Sequence, residues 1–205
     1  LASHLEDNVQ DKVAGQYLEY IQNEVKRTNK LIDEILQFSK PSASDYKRIN
    51  LNNLVNNVLI LTRKQINDSY IKVERKLDLS IPDVYGDSSQ IWLVFINIII
   101  NAVQSMSKDS ELLIESGVNK ININSEEDNG YVYVIFKDQG IGINEENLPK
   151  IFDPFYTTKA SGTGLGLSVS YKIIEAHNGR IMVSSQIGEG TKFMVEIPIS
   201  KPSFS

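Results

Sequence analysis

The stretch "TTKASGTGLGLSVS", residues 157–170, places glycine at every second position, at Gly162, Gly164 and Gly166, and then continues into apolar residues at helical spacing. Glycine is unfavourable inside regular structure, so three of them before a helix indicate a backbone that bends sharply or approaches a ligand closely. Such a loop presents free backbone N–H groups at the positive end of a helix dipole, an arrangement that binds phosphate. The stretch therefore predicts a phosphate-binding loop followed by a helix over residues 165–177.

This loop differs from two familiar phosphate-binding patterns. No lysine follows its last glycine, as in G-x-x-x-x-G-K-[ST], and it does not follow the first strand of a βαβ unit, as in the dinucleotide fingerprint. Lys159 lies upstream instead, with the hydroxyls of Thr157, Thr158 and Thr163 nearby. We expect residues 155–163 to fold over a ligand as a lid.

The composition narrows the possible classes of protein. The chain has 205 residues, of which 41% are hydrophobic and 23% charged, so it is predicted to form one packed domain with a smaller appendage. A net charge of −5 argues against general nucleic-acid binding. The chain has no cysteine, which excludes disulfides, thiolate metal sites and cysteine nucleophiles.

Residues 1–40 are predicted to be helical. The apolar positions are spaced 3, 4, 3, 4 and 3 residues apart, which is the heptad seam of a helix that packs along another helix. We expect one arm of a dimerising hairpin with a turn at Gly15; the alternative is a single amphipathic helix lying on its own domain. The chain also begins without Met, so we expect a piece of a longer protein. The seam consists of Leu18, Ile21, Val25, Thr28, Ile32 and Ile35.

Residues 41–48 are predicted to be a linker, and residues 49–200 an α+β domain with one sheet and one layer of helices. Asn50 is expected to cap one helix, and Asp87 or Ser88 a second helix that carries the apolar run 91–103. At 13 residues that run is too short to cross a membrane and is predicted to be buried. The remaining elements are expected to be strands at 70–78, 118–124, 131–138, 180–185 and 191–199.

Asn97 and Asn101 lie one helical turn apart in the apolar run. Amides on a buried helix need partners, and these two either bond neighbouring backbone or serve a ligand. An amide oxygen suits magnesium, which takes few protein ligands and completes its shell with phosphate oxygens and water. Gln104, three residues beyond Asn101, could reach a phosphate.

The segment "DQGIG", residues 138–142, follows a predicted strand directly. Asp138 could accept a hydrogen bond from a buried amino group while a flat ligand lies against Gly140 and Gly142; common turn chemistry is the alternative. Together, an acid for a base edge, an amide for a metal and a glycine-flanked helix start for phosphates predict a nucleoside-triphosphate site.

The order of these motifs resembles the ATP-binding catalytic domain of sensor histidine kinases of two-component systems, within the GHKL (Bergerat) ATPase superfamily. "NIIINAVQSM", "DQGIGI", "FDPFYTTK" and "SGTGLGLSVS" resemble its N, first glycine, F and second glycine boxes. The resemblance extends from about Tyr17 to Pro198. It implies a two-layer α/β sandwich, the Bergerat fold with a mixed sheet and one layer of helices, preceded by an α-helical dimerisation hairpin segment.

The resemblance also implies a role for each site residue. Asn97 would be the catalytic polar group, Asn101 the Mg²⁺ ligand and Asp138 the partner of the adenine amino group. Lys159 and residues 162–166 would form the lid and the phosphate cradle. The ATP-binding residues implied are Asn101, Gln104, Asp138, Gly140, Gly142, Ile143, Tyr156, Thr158, Lys159, Gly162, Thr163, Gly164, Leu165, Gly166 and Thr191.

The implied activity is that of a protein histidine kinase, which uses Mg²⁺ and ATP to phosphorylate a histidine on the dimerisation hairpin. The implied partners are a second copy, through the N-terminal helices, and the receiver domain of a response regulator, with no nucleic acid and no membrane segment in this stretch. The implied location is the cytoplasm, in a parent protein whose anchoring is left open.

The sequence departs from the family in its phosphoacceptor box. His4 is followed by "LEDN", without the expected basic residue and proline, so we expect the phosphoacceptor upstream of Leu1. His177 would be structural. A nucleotide-binding dimerising module without transfer activity and a gyrase- or chaperone-type ATPase clamp are the alternatives; Asn97, where those clamps carry a carboxylate, favours transfer.

Overall fold

A computed structural model describes residues 45–120, 130–159 and 162–200, apart from the Lys120 side chain, together with Gly15, Tyr17, Leu18, Tyr20, Ile21 and Val25. The chain divides into two compact units, Leu1–Lys40 and Pro41–Ser205.

The six described residues of the first unit are helical. Three positions of the predicted seam, Leu18, Ile21 and Val25, are 60%, 55% and 52% exposed in the single chain. Gly15 is itself helical, so the turn predicted there is wrong. The other seam positions and His4 lie outside the described residues, so the dimerising hairpin stays a prediction.

The second unit contains a five-stranded mixed sheet with the strand order β2-β4-β5-β7-β6. β2 and β4 run parallel, and the other neighbours run antiparallel. A separate antiparallel pair joins β1 to β3. The strands are β1 Tyr46–Ile49, β2 Lys72–Leu77, β3 Val84–Asp87, β4 Glu111–Lys120, β5 Gly130–Asp138, β6 Arg180–Gln186 and β7 Gly190–Pro198.

The described helices are α1 Leu51–Asp68, α2 Ser88–Ser105 and α3 Gly166–Ala176, with a 3₁₀ turn at Leu148–Lys150. α2 is central, since it packs against α1, α3 and β5. This is the predicted two-layer sandwich of a mixed sheet and helices.

The two predicted helix caps are present. The Asn50 side chain accepts a hydrogen bond from the Asn53 N–H, and Asp87 accepts from the N–H groups of Ser89 and Gln90. Each cap satisfies backbone donors that the first turn of a helix leaves without an internal partner.

The apolar face of α2 forms the centre of the core. Phe95 contacts Phe136 of β5, with ring centroids 5.3 Å apart. Among the described helices, Ser88–Ser105 alone is long and apolar enough to cross a bilayer. Seven of its apolar residues are buried in the domain, as predicted for this run; they are Ile91, Val94, Phe95, Ile98, Ile99, Ala102 and Val103.

Two predicted boundaries are wrong. β1 occupies part of the predicted linker 41–48, because Tyr46–Ile49 pairs with β3. β4 begins at Glu111 rather than at residue 118. Ser116 and Gly117 resemble turn residues, but the buried Ser116 hydroxyl bonds Asn52, and Gly117 leaves room for the Tyr133 side chain.

His177, at the end of α3, is a structural anchor and is completely buried. Its Nε2 accepts a hydrogen bond from the Asp87 N–H at 3.0 Å, and its Nδ1 lies 2.7 Å from the Ile173 carbonyl oxygen. The carbonyl can only accept, so Nδ1 carries the proton and the ring is neutral. The Tyr46 ring stacks on it, and the Tyr46 hydroxyl donates to the Ala176 carbonyl.

We predict that acidification destabilises this domain through His177. Burial lowers its pKa from the usual 6.5, so below pH 6.5 the unfolded chain binds a proton that the folded chain excludes. The free energy of unfolding should fall by at most about 1.4 kcal/mol per pH unit as the pH drops below 6.5. Urea denaturation between pH 8 and pH 5 measures this slope.

His177→Gln should flatten the slope, whereas His4→Gln, which changes the chain's other histidine, should preserve it. An equal slope in wild type and His177→Gln would contradict the assignment.

Candidate nucleotide-binding site

α2 carries a polar stripe beside its buried apolar face. Asn97, Asn101, Gln104 and Ser105 follow one another at helical spacing, so they line one side of the helix. Three of them are half-buried, and Gln104 is exposed. This stripe runs between the two glycine-rich segments that the sequence singled out.

Asp138 ends β5 and is only 3% exposed. Its Oδ1 accepts hydrogen bonds from the N–H groups of Gly140, at 2.8 Å, and Thr191, at 3.1 Å. Burial raises the pKa of the Asp138 carboxyl above its usual value, and hydrogen bonds from Gly140, Thr191 and Ser105 and the charge of Lys159 act in the opposite direction. The carboxylate is thus held in a buried position, with its Oδ1 bonded to two backbone N–H groups.

Two glycines around Asp138 have no room for a side chain. Gly142 has φ +73°, and a Cβ there would collide with the Gln186 carbonyl. Gly190 has φ +100°, and a Cβ there would collide with the Asp138 carbonyl. Both need a left-handed backbone and close approach, which only glycine combines readily.

Ser105 joins the end of the stripe to this loop. Its carbonyl accepts from the Ile141 N–H at 3.1 Å. Its hydroxyl donates to the Ala102 carbonyl at 2.8 Å and also contacts the Asp138 carboxylate, whose pKa it lowers. A Cβ on Gly140 would collide with the Ser105 hydroxyl. α2 therefore holds the 138–142 loop in position.

Lys159 brings the second segment to the same stripe. Its Nζ donates to Asn101 Oδ1 at 3.0 Å and to Gln104 Oε1 at 2.7 Å. Two neutral side-chain oxygens on adjacent turns of α2 therefore already accept a cation.

Asn97 connects the stripe to the start of α3. Its Nδ2 donates to the Gly166 carbonyl at 3.1 Å and to the Ser170 hydroxyl at 3.3 Å. α3 begins without a side-chain cap, unlike α1 and α2. Gly164, with φ +72°, allows the preceding loop to pass directly against the Phe155 backbone.

The remaining predicted residues lie around these groups. The Ile143 N–H donates to the Ser185 hydroxyl, and the Thr163 hydroxyl accepts from the Leu165 N–H. Leu165 is completely buried, Tyr156 packs against the core, and Thr158 is exposed.

The sequence reasoning missed two residues, Ser105 and Ser185. Ser105 is four residues after Asn101, so helical spacing could have identified it. No sequence signal marks Ser185, because its partners lie on a distant loop and on the next strand.

Within the described part of the chain, no group of three or more His, Cys, Asp or Glu side chains could hold a metal ion. A metal here would rely on the neutral oxygen of Asn101 together with oxygens of a ligand.

Comparison with known proteins identifies the family. Residues 86–201 match the sequence profile described as "Histidine kinase-, DNA gyrase B-, and HSP90-like ATPase". The chain belongs to this ATPase family. The match covers α2, both glycine-rich segments and β7, and thus every residue of the site described above.

Several relatives of this ATPase domain are kinases. The chain is 37% identical over 190 residues to Sporulation kinase E of Bacillus subtilis, covering 91% of this chain and 25% of that protein. It resembles the solved catalytic domain of histidine kinase ThkA with a TM-score of 0.65 and 32% identity, covering 77% of this chain and 99% of that one.

ThkA solved in complex with the response regulator TrrA also resembles the chain, with a TM-score of 0.71 and 31% identity over 90% of this chain and 51% of that one. The chain spans only about a quarter of the length of Sporulation kinase E.

We predict that Gly142→Ala disrupts this site in the ATPase domain. The left-handed backbone and the collision with the Gln186 carbonyl should together lower the free energy of unfolding by about 1–3 kcal/mol and weaken nucleotide binding. Thermal melts and titration with a fluorescent ATP analogue measure both effects.

Gly188→Ala is the matched control. Gly188 has a similar φ of +81°, but a Cβ there would contact nothing within 4 Å, so this variant carries the strain without the collision. Equal losses in the two variants would show that close approach at Gly142 is unimportant.

Proposed function

We propose that this ATPase domain is the catalytic portion of a sensor histidine kinase, which binds Mg-ATP and transfers the γ-phosphoryl group to a histidine of a dimerisation hairpin. One observation carries the proposal: the polar stripe of α2 contacts the buried Asp138 at one end and the uncapped start of α3 at the other. This gives a base-binding end and a phosphate-binding end on a single helix face.

In this proposal, Asp138 accepts a hydrogen bond from the adenine amino group. Its Oδ1 is held by two backbone N–H groups and Ser105 contacts the carboxylate, which still has an acceptor position for a donor on the base. Gly140, Gly142, Ile143 and Thr191 would surround the base.

The phosphates would lie toward α3. The backbone N–H groups of its first turn have no side-chain cap, so an anion there would be stabilised by hydrogen bonds and by the helix dipole. Residues 162–166, with Thr158 and Tyr156 from the preceding loop, would form the lid and cradle. Lys159 would neutralise phosphate charge.

Magnesium fits the donor set around Asn101. The Asn101 and Gln104 oxygens accept the Lys159 ammonium, so they can face a cation. Neutral oxygens bind Mg²⁺ weakly alone, and phosphate oxygens would complete its shell. When bound, the ion would offset charge on the β- and γ-phosphates.

Asn97 is the proposed catalytic residue. Its amide is fixed by Gly166 and Ser170 at the start of α3, beside the phosphate-binding end. An amide cannot remove a proton from water as a carboxylate can, which favours transfer to a histidine over steady hydrolysis. Positioning and charge neutralisation would supply most of the rate.

The proposed partners follow from the reaction. A second copy would associate through residues 1–40, and the phosphoryl group would pass to an Asp of a response-regulator receiver domain; the solved complex of ThkA with its response regulator supports this. Since ATP is the substrate, the domain would work in the cytoplasm.

We predict that the chain transfers label from γ-labelled ATP to a histidine of a separately supplied phosphoacceptor hairpin. Asp138→Asn should lower ATP affinity about 10- to 100-fold and abolish labelling. The Asn oxygen must accept from Gly140 and Thr191, which turns its NH₂ group toward the adenine amino group, and an unpaired buried donor costs about 1–3 kcal/mol.

Asp153 is an exposed carboxylate on the loop between the two glycine segments, so Asp153→Asn should retain labelling. Tight ATP binding without label transfer would favour the non-catalytic module. Continuous hydrolysis without a phosphoprotein would favour an ATPase clamp.

We predict that Asn101→Ala removes the magnesium dependence of ATP binding. Wild type should bind ATP more tightly with Mg²⁺ than with chelator, and the variant should bind equally under both conditions because the ion loses its protein ligand. Titration calorimetry measures the difference, with Asn57→Ala, exposed on α1, as the control. An undiminished magnesium effect in Asn101→Ala would exclude Asn101 as the ligand.

A further inference from the structure

The Ser185 hydroxyl, on β6, has three hydrogen-bond partners. It accepts from the Ile143 N–H at 2.8 Å, donates to the Gly190 carbonyl at 2.8 Å, and lies 2.9 Å from the Thr191 hydroxyl. It thereby ties Ile143, which directly follows the 138–142 loop, to the β6–β7 hairpin.

The protons in this cluster can be assigned. A carbonyl oxygen only accepts and a backbone N–H only donates, while each hydroxyl has a single proton. Ser185 gives its proton to Gly190, so in the contact between the two hydroxyls Thr191 must be the donor. The Thr191 proton therefore points toward Ser185. To any other group, the Thr191 oxygen can act only as a hydrogen-bond acceptor.

Thr191 lies beside the proposed adenine partner. Ser185 and Thr191 are paired across β6 and β7, and the Thr191 N–H donates to Asp138 Oδ1. Both residues share the core-facing side of the sheet with the buried Phe193 and Val195. The Asp138 carboxylate and the Thr191 oxygen therefore form a pair of acceptors at the end of the sheet.

We propose that Ser185 is a specificity-determining positioning residue: by fixing the Thr191 proton, it leaves the 6-position of the base facing acceptors only, which selects a purine with an amino group there over one with a carbonyl oxygen. This inference rests on the proposed adenine site. Ser185 acts through Thr191 and does not itself contact the base.

The experiment compares affinities for ATP and inosine triphosphate, which carries a carbonyl oxygen where ATP carries its amino group. Wild type should prefer ATP. In Ser185→Ala the Thr191 proton is released and can turn to donate to that carbonyl, so the ratio of the two affinities should fall about tenfold. Both affinities are measured on one sample, so partial unfolding of the variant lowers them equally and leaves the ratio intact.

Three further variants distinguish an effect of the direction of the Thr191 proton from a general loss of structure. Ser185→Thr retains the hydroxyl and should retain the ratio. Ser184→Ala, its exposed neighbour on the opposite face of β6, should behave as wild type. Thr191→Val removes the hydroxyl that Ser185 orients, so adding Ser185→Ala to it should not change the ratio further.

Two outcomes would overturn the inference. An unchanged ratio in Ser185→Ala with ATP binding retained would overturn it alone and leave the proposed function standing. Absence of ATP binding by wild type would overturn the proposed function and this inference together.

Discussion

The structure depends on burying one face of α2 against the sheet while a stripe beside that face stays polar. Phe95 and its apolar neighbours are fixed by contact with β5, and this fixes the rotation of the helix about its axis. Once that rotation is set, the positions of Asn97, Asn101, Gln104 and Ser105 follow, because helical geometry leaves them no freedom relative to the core face. The packing that stabilises the domain thus also orients its site.

The second constraint is the close approach of backbone segments around Asp138. Gly142 lies against the β6–β7 turn, and Gly190 lies against the strand end that carries the carboxylate. These contacts hold a buried acid in place through two backbone N–H donors and one serine, and the charge of Lys159 also favours the carboxylate. A carboxylate has about four acceptor positions, so an acid held by three such donors can accept one more hydrogen bond, as a base-recognition site requires.

Much of this could be predicted from the sequence, because local signals and global packing agree. The caps at Asn50 and Asp87, the apolar run of α2 and the glycine spacing all indicate the observed elements. The start of β4 was missed because Ser116 and Gly117 are residue types common in turns, although here they make tertiary contacts. β1 was missed because a strand of four residues is too short to show a clear alternation of apolar and polar residues. Ser185 could not be found, since its three contacts depend on strand register, which no single segment encodes.

The contact between Lys159 and the amides of α2 has a consequence for how the lid would respond to substrate. Neither Asn101 nor Gln104 carries a charge, so each of these two contacts joins the ammonium to a neutral amide oxygen. A triphosphate offers full negative charge, so a contact between lysine and phosphate adds the attraction of opposite charges to the hydrogen bond. In the proposed function, the arriving nucleotide would draw the lysine away from these oxygens and thereby free the Asn101 oxygen for its accompanying metal.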